Sequence, residues 1–291
     1  MHLKIAVGIP TVGRASILCE TLTELGRQTR QPDRLIVCAP RAADAKGAAA
    51  AFPELRLVFA DAGLPRQRNA VIDAAGDADV LVFFDDDFLA HPDYLARTEY
   101  HMQNDPRIVV ATGRVLADGI GGPGLSPAEG RAILARHVAA GMAATPAFSG
   151  YGCNMALRLA PMRQHGLRFD ERLPLYGWQE DVDLSRRLAK HGLVVRLEAA
   201  CGVHLGVKLG RGSGVRLGYS QVVNPIYLSL KRCGYPFGRA VGHIAGNMAM
   251  NVVRSTWPEP YVDRRGRLRG NLLALRDLMA GKVIPERILD L

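Results

Sequence analysis

The sequence is poor in cysteine, in long apolar runs and in leader-like features, and each shortage narrows its class. Its five cysteines (Cys19, Cys38, Cys153, Cys201, Cys233) are scattered, odd in number and without metal-ligand spacing. That favours structural thiols in a reducing cytoplasm. No window offers 18 uninterrupted apolar residues, so no transmembrane helix is expected. Met1-His2-Leu3-Lys4-Ile5 enters a strand-like run at once and lacks a signal-peptide pattern, which again points to the cytoplasm. No nucleic-acid motif accompanies the basic residues.

What is present is ordinary in bulk and uneven in detail. At 291 residues, 48% apolar and 22% charged, the chain suits a soluble globular protein with one large α/β domain plus an appendage, or two small domains. Its net charge of +9 is not spread evenly. Residues 1–204 hold 23 basic and 23 acidic side chains, whereas residues 205–291 hold 14 basic and 5 acidic ones. The last third therefore either meets an anion, such as a nucleoside diphosphate, an acidic bilayer or a lipid phosphate, or carries a merely solubilising surface.

Along the first third, strands and helices alternate. Lys4–Ile9 is an apolar strand ending at Pro10-Thr11, and Ser16 is placed to cap a helix running to about Gln28. Leu35–Cys38 and Leu55–Ala60 are further strands, and Arg66–Ala75 is a helix stopped by Gly76. Val80–Phe84, apolar and rich in β-branched and aromatic types, reads as a strand buried on both faces. Such alternation marks a parallel sheet covered by helices, in which ligands bind beyond the carboxyl ends of the strands. Pro10-Thr11, Asp61 and Asp85–Asp87 all fall at such ends and should share one crevice.

The three aspartates carry the chemistry. Adjacent carboxylates repel, and a fold tolerates them at a strand end only where a cation neutralises them or water solvates them. Oxygen ligands suit Mg²⁺ or Mn²⁺, held by one or two carboxylates and completed by substrate phosphates. A solvated turn before a helix near Pro92 is the plainer alternative. A second acidic group, Glu180, Asp181 and Asp183, opens a helix whose apolar face is Val182, Leu184 and Leu188, where acids also simply complement the helix dipole. Between the two groups, residues 117–127 are the most loop-like stretch, expected to be mobile over the site. Phe148–Arg158 is an extended segment whose glycines admit close backbone approach.

Taken in order, Ile9-Pro10-Thr11, Gly63-Leu64-Pro65-Arg66-Gln67-Arg68-Asn69-Ala70, Phe83-Phe84-Asp85-Asp86-Asp87, Gly152-Cys153-Asn154-Met155-Ala156-Leu157-Arg158, Phe169-Asp170-Glu171 and Gly177-Trp178-Gln179-Glu180-Asp181-Val182-Asp183-Leu184 resemble the family 2 inverting, nucleotide-sugar-dependent glycosyltransferases. The resemblance covers residues 1 to about 210. It implies the A-type glycosyltransferase fold, a Rossmann-like, mostly parallel sheet flanked by helices. The catalytic domain would span 1–210, with a donor half to about 115 and an acceptor half from 116, and 211–291 would be a helical basic extension.

The resemblance also implies roles. Asp85 and Asp87 would hold the divalent ion, Mn²⁺ or Mg²⁺, with His204 as third ligand or else a satisfied core histidine. Asp86 would reach the ribose or the ion's water shell. Pro10, Thr11, Arg14 and Asp61 would line the nucleotide, because Ile36-Val37-Cys38-Ala39-Pro40 lacks the acid that members usually carry at the end of strand two. Arg68 and Arg211 are placed to meet the diphosphate, or are surface charges. Inversion needs a base opposite the leaving group, which the resemblance puts in the Glu180-Asp181 pair, with Asp181 preferred. Trp178 offers a ring face to a sugar, or a core anchor, and Asn154 lies in the segment expected to meet the acceptor.

The expected activity is transfer from a nucleoside-diphosphate sugar, a UDP-sugar by family habit, to a glycan or lipid-linked hydroxyl. The basic tail is interrupted by His243, Asn247 and Asn251, which suits peripheral contact with an anionic membrane or packing on the catalytic domain rather than spanning. A sugar-phosphate nucleotidyltransferase would want a Gly-rich, basic loop after strand one, which Pro10-Thr11-Val12-Gly13-Arg14 imitates poorly. A non-catalytic nucleotide-sugar-binding protein would not need both acidic groups.

Overall fold

The structure, a computed structural model, describes residues 2–138, 141–208 and 212–291. The chain divides into two compact units. One comprises Met1–Ala62, Arg66–Arg168 and Leu188–Gly210, and the other Gly63–Pro65, Phe169–Arg187 and Arg211–Leu291. The expected boundary near residue 210 marks only part of this division, because residues 169–187 cluster with the C-terminal helices rather than with the sheet.

In the first unit the described elements are β1 (Ile5–Pro10), α1 (Ala15–Leu25), β2 (Arg34–Ala39), α2 (Ala48–Ala51), β3 (Arg56–Phe59), α3 (Leu64–Ala74, begun in the other unit), β4 (Val80–Phe84), β5 (Phe88–Ala90), α4 (Tyr94–Asn104), β6 (Ile108–Asp118), α5 (Pro127–Arg136), β7 (Ala144–Pro146), β8 (Asn154–Arg158), α6 (Leu159–His165) and β9 (Leu193–His204). The sheet runs β3-β2-β1-β4-β8-β6-β9-β5, with β7 also pairing β9. Strands β3, β2, β1 and β4 are parallel, as the alternation predicts. Beyond β4 the sheet turns mixed: β8 is antiparallel to both β4 and β6, while β6 and β9 are parallel to each other. That order sends the carboxyl ends of β1, β2, β4, β6 and β9 to one edge.

The core follows from the period-two pattern of the strands. Ile5, Val7 and Ile9 of β1, with Val80, Val82 and Phe84 of β4, are fully buried in one cluster with Leu18, Leu22 and Leu25 of α1. Each such side chain contributes about 1.5–3 kcal/mol on burial. Helix α1 starts one residue before Ser16, with Arg14 at its N-cap and no side-chain cap, since a guanidinium offers no acceptor; the Arg14 side chain pairs with Asp86 instead. Phe84 and Phe88 stack at 5.3 Å, and Tyr94 meets Phe84 edge-on at 4.9 Å. This aromatic cluster grips both ends of the connection between β4 and β5, and that connection is nothing but Asp85-Asp86-Asp87.

The second unit holds α7 (Glu180–Leu188, its last residue belonging to the sheet unit), α8 (Gly214–Leu230), α9 (Phe237–Thr256) and α10 (Arg264–Met279). Among the described residues no helix is long and apolar enough to cross a membrane. Its interior is partly polar. Asn251 Nδ2 donates to Gln221 Oε1 at 3.0 Å and to Asn271 Oδ1 at 2.9 Å, and Asn271 Nδ2 donates to the Gly218 carbonyl at 2.7 Å. Such a network holds only if its members are satisfied, so it sets the register of α8, α9 and α10.

Helices α8 and α10 touch backbone to backbone. A Cβ on Gly270 would lie 2.1 Å from the Val215 carbonyl oxygen. Alanine in a helix interior normally gains up to about 1 kcal/mol over glycine. Here the overlap should reverse the sign, and Gly270→Ala should cost about 2 kcal/mol, within the usual range for overpacking. Urea unfolding tests this, and a variant as stable as the parent would show that the two helices can separate freely.

Candidate metal and donor site

Strand register builds the site. In the antiparallel pairing of β5 with β9, Phe88 lies opposite His204, and in the parallel pairing of β6 with β9, Asp118 lies opposite the same histidine. His204 is therefore placed between the aspartate turn and the end of β6 by backbone pairing alone. Ligand atoms of Asp85, Asp87 and His204 all lie within 4.8 Å of one another, the one such group of three among the described residues.

Each carboxylate of the turn meets its own cation. Asp87, 2% exposed, has Oδ1 at 3.4 Å from His204 Nε2, and its Oδ2 accepts from the Val207 amide at 2.8 Å. Gly206, at φ 64°, makes that turn of the chain, and a Cβ there would lie 2.3 Å from the Gly119 carbonyl carbon. Burial alone would raise the Asp87 pKa, but His204, Arg14 and the Val207 amide outweigh it and hold the group below the usual carboxylate range. Asp85 is the more open acid, with a quarter of its side chain exposed, and accepts from Arg68 Nη2 at 3.3 Å.

Asp86 differs. It is fully buried, with Arg14 Nη2 at 2.6 Å from Oδ1 and the Thr11 hydroxyl donating to Oδ2 at 2.6 Å. Burial pushes it up to about 7 against the pull of Arg14. Both of its oxygens face partners inside the protein, Oδ1 through the ion pair and Oδ2 through the hydroxyl. Thr11 (3% exposed) and Arg14 are engaged with it as well.

His204 is itself held. Its Nδ1 lies 2.9 Å from Asp118 Oδ1, and Asp118 Oδ2 accepts from the Tyr151 hydroxyl at 2.8 Å. Burial would raise the Asp118 pKa, but His204, the Ile120 amide and Tyr151 keep it low, so it is an acceptor and Nδ1 must be the donor. Nε2 then faces the two aspartates. Burial opposes charge on the ring, yet Asp118 and Asp87 raise its pKa to about 10. An imidazolium here is the counter-ion of two carboxylates, and a divalent cation suits the same place. Two carboxylates and an imidazole whose other nitrogen is fixed by a third carboxylate form a donor set that fits Mn²⁺ or Mg²⁺.

The family-model comparison matches residues 2–199 to "Glycosyltransferase like family 2". The chain belongs to this family. No curated protein matches the sequence. Among solved structures it is similar to the mannosyltransferase PcManGT of Pyrobaculum calidifontis in complex with GDP-Man and Mn²⁺, at TM-score 0.57 and 13% identity over 97% of this chain and 89% of that one. It is also similar to residues 1–349 of S. aureus TarS (TM-score 0.61, 13% identity, 98% and 82% of the chains). A third is GalNAc-T7 with UDP, GalNAc and Mn²⁺ (TM-score 0.59, 14% identity, 99% and 58%). These likenesses carry the A-type glycosyltransferase fold.

Other residues expected to serve this glycosyltransferase are distributed more widely. Arg68 is fully buried, donates to the Gly152 carbonyl at 2.8 Å, lies over the Phe83 ring and places Nη2 3.3 Å from Asp85. Asn154 is also fully buried: it accepts from the Thr112 hydroxyl at 2.6 Å and donates to the Gly113 carbonyl at 3.2 Å, bolting β8 to β6. Asp61 is exposed and pairs with Arg66 at 3.0 Å. Pro10 is buried, in register with Cys38, whose carbonyl accepts from the Thr11 amide at 2.9 Å. The first acid after β2 is Asp44, which accepts from the Gly13 amide at 2.9 Å. Arg211 lies outside the described residues.

In the second unit the loop before α7 is tightly wound, with Leu175, Gly177 and Gln179 all at positive φ. Gln179 Nε2 lies 2.7 Å from His243 Nδ1 and 3.2 Å from the Tyr235 hydroxyl, which ties the loop to α9. Asn224 Nδ2 donates to the Trp178 carbonyl at 2.9 Å. Of the acidic group, Asp183 is consumed by Arg187 at 2.7 Å and Lys231 at 2.6 Å, and Glu180 is 4% exposed. Asp181 is the accessible member.

Asp118 and Tyr151 are absent from the sequence-based set. Asp118 sits at the start of a glycine-rich stretch that reads as loop, and only the pairing of β6 with β9 brings it to His204. If Asp118 fixes the imidazole, Asp118→Asn should weaken Mn²⁺ binding about 10–100-fold, as loss of such a partner usually does, with little change in melting temperature. Calorimetric titration of Mn²⁺ checks this, and unchanged affinity would remove Asp118 from the site.

Proposed function

We propose that this glycosyltransferase moves a sugar from a nucleoside-diphosphate sugar, with UDP as the expected nucleotide, to a hydroxyl of a glycan or lipid-linked acceptor, with inversion at the anomeric carbon. The observation that carries this reading is the convergence of Asp85, Asp87 and His204 within 4.8 Å. A divalent cation held there supplies positive charge to the diphosphate as its bond to the sugar breaks. That PcManGT and GalNAc-T7 were solved with a nucleotide or nucleotide sugar and Mn²⁺ supports the same use of this chain's acids.

The chain's own residues then have separate tasks. Asp86, Arg14 and Thr11 lock the turn so that Asp85 and Asp87 stay together despite their repulsion. Asp61 with Arg66 serves the nucleobase side, and Arg211 the diphosphate. Asp181 takes the acceptor hydroxyl's proton while the acceptor oxygen bonds to the anomeric carbon and the bond to the phosphate oxygen breaks. It stands in the first turn of α7, where the helix dipole favours a carboxylate in its charged form. Its accessibility beside buried Glu180 supports the choice, and Trp178 supplies a ring face for the acceptor sugar. Asp181→Asn should lower turnover about 10²–10⁴-fold, the usual contribution of a general base, without altering Mn²⁺-dependent UDP binding. Asp87→Asn should abolish that binding. Nucleoside-diphosphate release and thermal shift read the two, and full turnover in Asp181→Asn would end its assignment as base.

The acceptor side extends to peripheral contact with an anionic membrane on its cytoplasmic face. The exposed side of α9 is apolar through Val241, Ala245, Ala249, Val252 and Val253, with Phe237 62% and Trp257 78% exposed at its ends. Arg239 and Arg254 flank it, within the segment that holds 14 basic and 5 acidic residues. An apolar stripe bordered by cations suits an acidic headgroup layer. The protein should sediment with phosphatidylglycerol vesicles and not with phosphatidylcholine vesicles, and Val253→Asp should weaken that binding at least several-fold. Indifference to headgroup charge would discard the contact.

A further inference from the structure

Beside the metal site the sheet unit opens a cavity of about 620 Å³, whose working side chains are Arg114, Tyr151, Arg196 and Glu198. Its origin is a fault in strand pairing. From Val110 opposite Val194, strands β6 and β9 keep register as far as Gly113 opposite Leu197, but the next pair is Arg114 with Cys201. Residues 198–200 are thus extra in β9, and such bulges re-aim neighbouring side chains. Gly113 lets the strands close around the fault, since a Cβ there would lie 2.5 Å from the Ala200 carbonyl oxygen.

The charges in the cavity are unequal. Arg196 is neutralised by Glu198, with Nε donating at 2.7 Å and Nη2 at 2.6 Å. The Arg114 side chain makes no ion pair or hydrogen bond among the described residues, and it is exposed to the cavity. One unneutralised guanidinium therefore faces the space, with the fork geometry that suits carboxylate or phosphate oxygens. The Tyr151 ring is 37% exposed and supplies an apolar plane, and the Arg196–Glu198 pair offers donors and acceptors to hydroxyls. Tyr151 also joins this space to the metal site: its hydroxyl donates to Asp118, and its ring meets His204 edge-on at 6.1 Å. The volume falls within the range of about 300–1,000 Å³ common to small-molecule sites.

We propose that this cavity is a subsite for an acidic saccharide, a sugar carrying a carboxylate or phosphate, with Arg114 binding the anion and Tyr151 the ring. The assignment rests on the glycosyltransferase reading of the neighbouring site, for which it specifies an acidic acceptor. Tyr151 would then report the acceptor's arrival to Asp118, one hydrogen bond from the metal-ligating histidine.

The test titrates the full chain with glucuronate, glucose 6-phosphate, glucose and inorganic phosphate, with and without UDP and Mn²⁺. At least one acidic sugar should bind ten-fold or more tighter than glucose and than inorganic phosphate, and should remain bound beside UDP and Mn²⁺. The stronger of the two identifies the carboxylate or the phosphate as the recognised group. Arg114→Gln should remove that ten-fold preference while leaving glucose binding, UDP binding and melting temperature unchanged, and Arg196→Gln should weaken all sugars alike. Three results would overturn the proposal: inorganic phosphate binding as well as glucose 6-phosphate, displacement of the sugar by UDP with Mn²⁺, or an unaffected Arg114→Gln variant. Should the wild type bind acidic sugars but neither UDP nor GDP with Mn²⁺, the saccharide site stands and the donor assignment falls.

Discussion

Three consecutive carboxylates can be folded beside a hydrophobic core only if a cation meets each of them, and this protein supplies one apiece. Arg14 takes Asp86, Arg68 lies against Asp85, and His204 stands by Asp87. The cations come from the start of α1, from α3 and from the end of β9, so most of the sheet unit is committed to neutralising one turn. Removing a single partner would strand a buried charge, which folded proteins tolerate poorly. The division also gives each acid a different character. Asp86 is sealed into the interior, whereas Asp85 and Asp87 keep oxygens directed at His204 and at whatever cation replaces its proton.

The same constraint explains why the site lies where the sheet changes from parallel to mixed. Strand β4 ends in the acids, β5 turns back antiparallel on β9, and β6 runs alongside β9 to deliver Asp118. A wholly parallel sheet would not fold the chain back on itself within three residues of the acids. The bulge in β9, a few residues before His204, lets the same strand serve two spaces, the metal site at its end and the cavity of Arg114 and Tyr151 beside the bulge. In the second unit the acidic group is similarly divided by its surroundings. Asp183 is tied to Arg187 and Lys231 and so is structural, Glu180 is buried, and Asp181 remains accessible.

Much of this could be read in the residues themselves. Val80–Phe84 ending in three aspartates announced a buried strand followed by either a cation site or a solvated turn, and only the later family segments favoured the first. The order of the family segments, from Pro10-Thr11 to Glu180-Asp181, announced the fold. His204 was legible only through that order, since a lone histidine after a strand is ordinarily a core residue. Residue type and position in a motif do not reveal which way a side chain points, as Asn154 and Arg68 illustrate. Both are turned inward and fully buried.

The sequence by itself determined the first four strands, their parallel run and the chemistry available at their carboxyl ends, because apolar strand runs and helix stops are local properties of the chain. Tertiary structure decided which of those groups meet. His204 and Asp118 are 86 residues apart and become neighbours only through the register of β6 and β9, and that register depends on every pairing between them. The three aspartates therefore set the task in the sequence, while the long-range strand order supplied the histidine, its fixing carboxylate and the cavity that opens next to them.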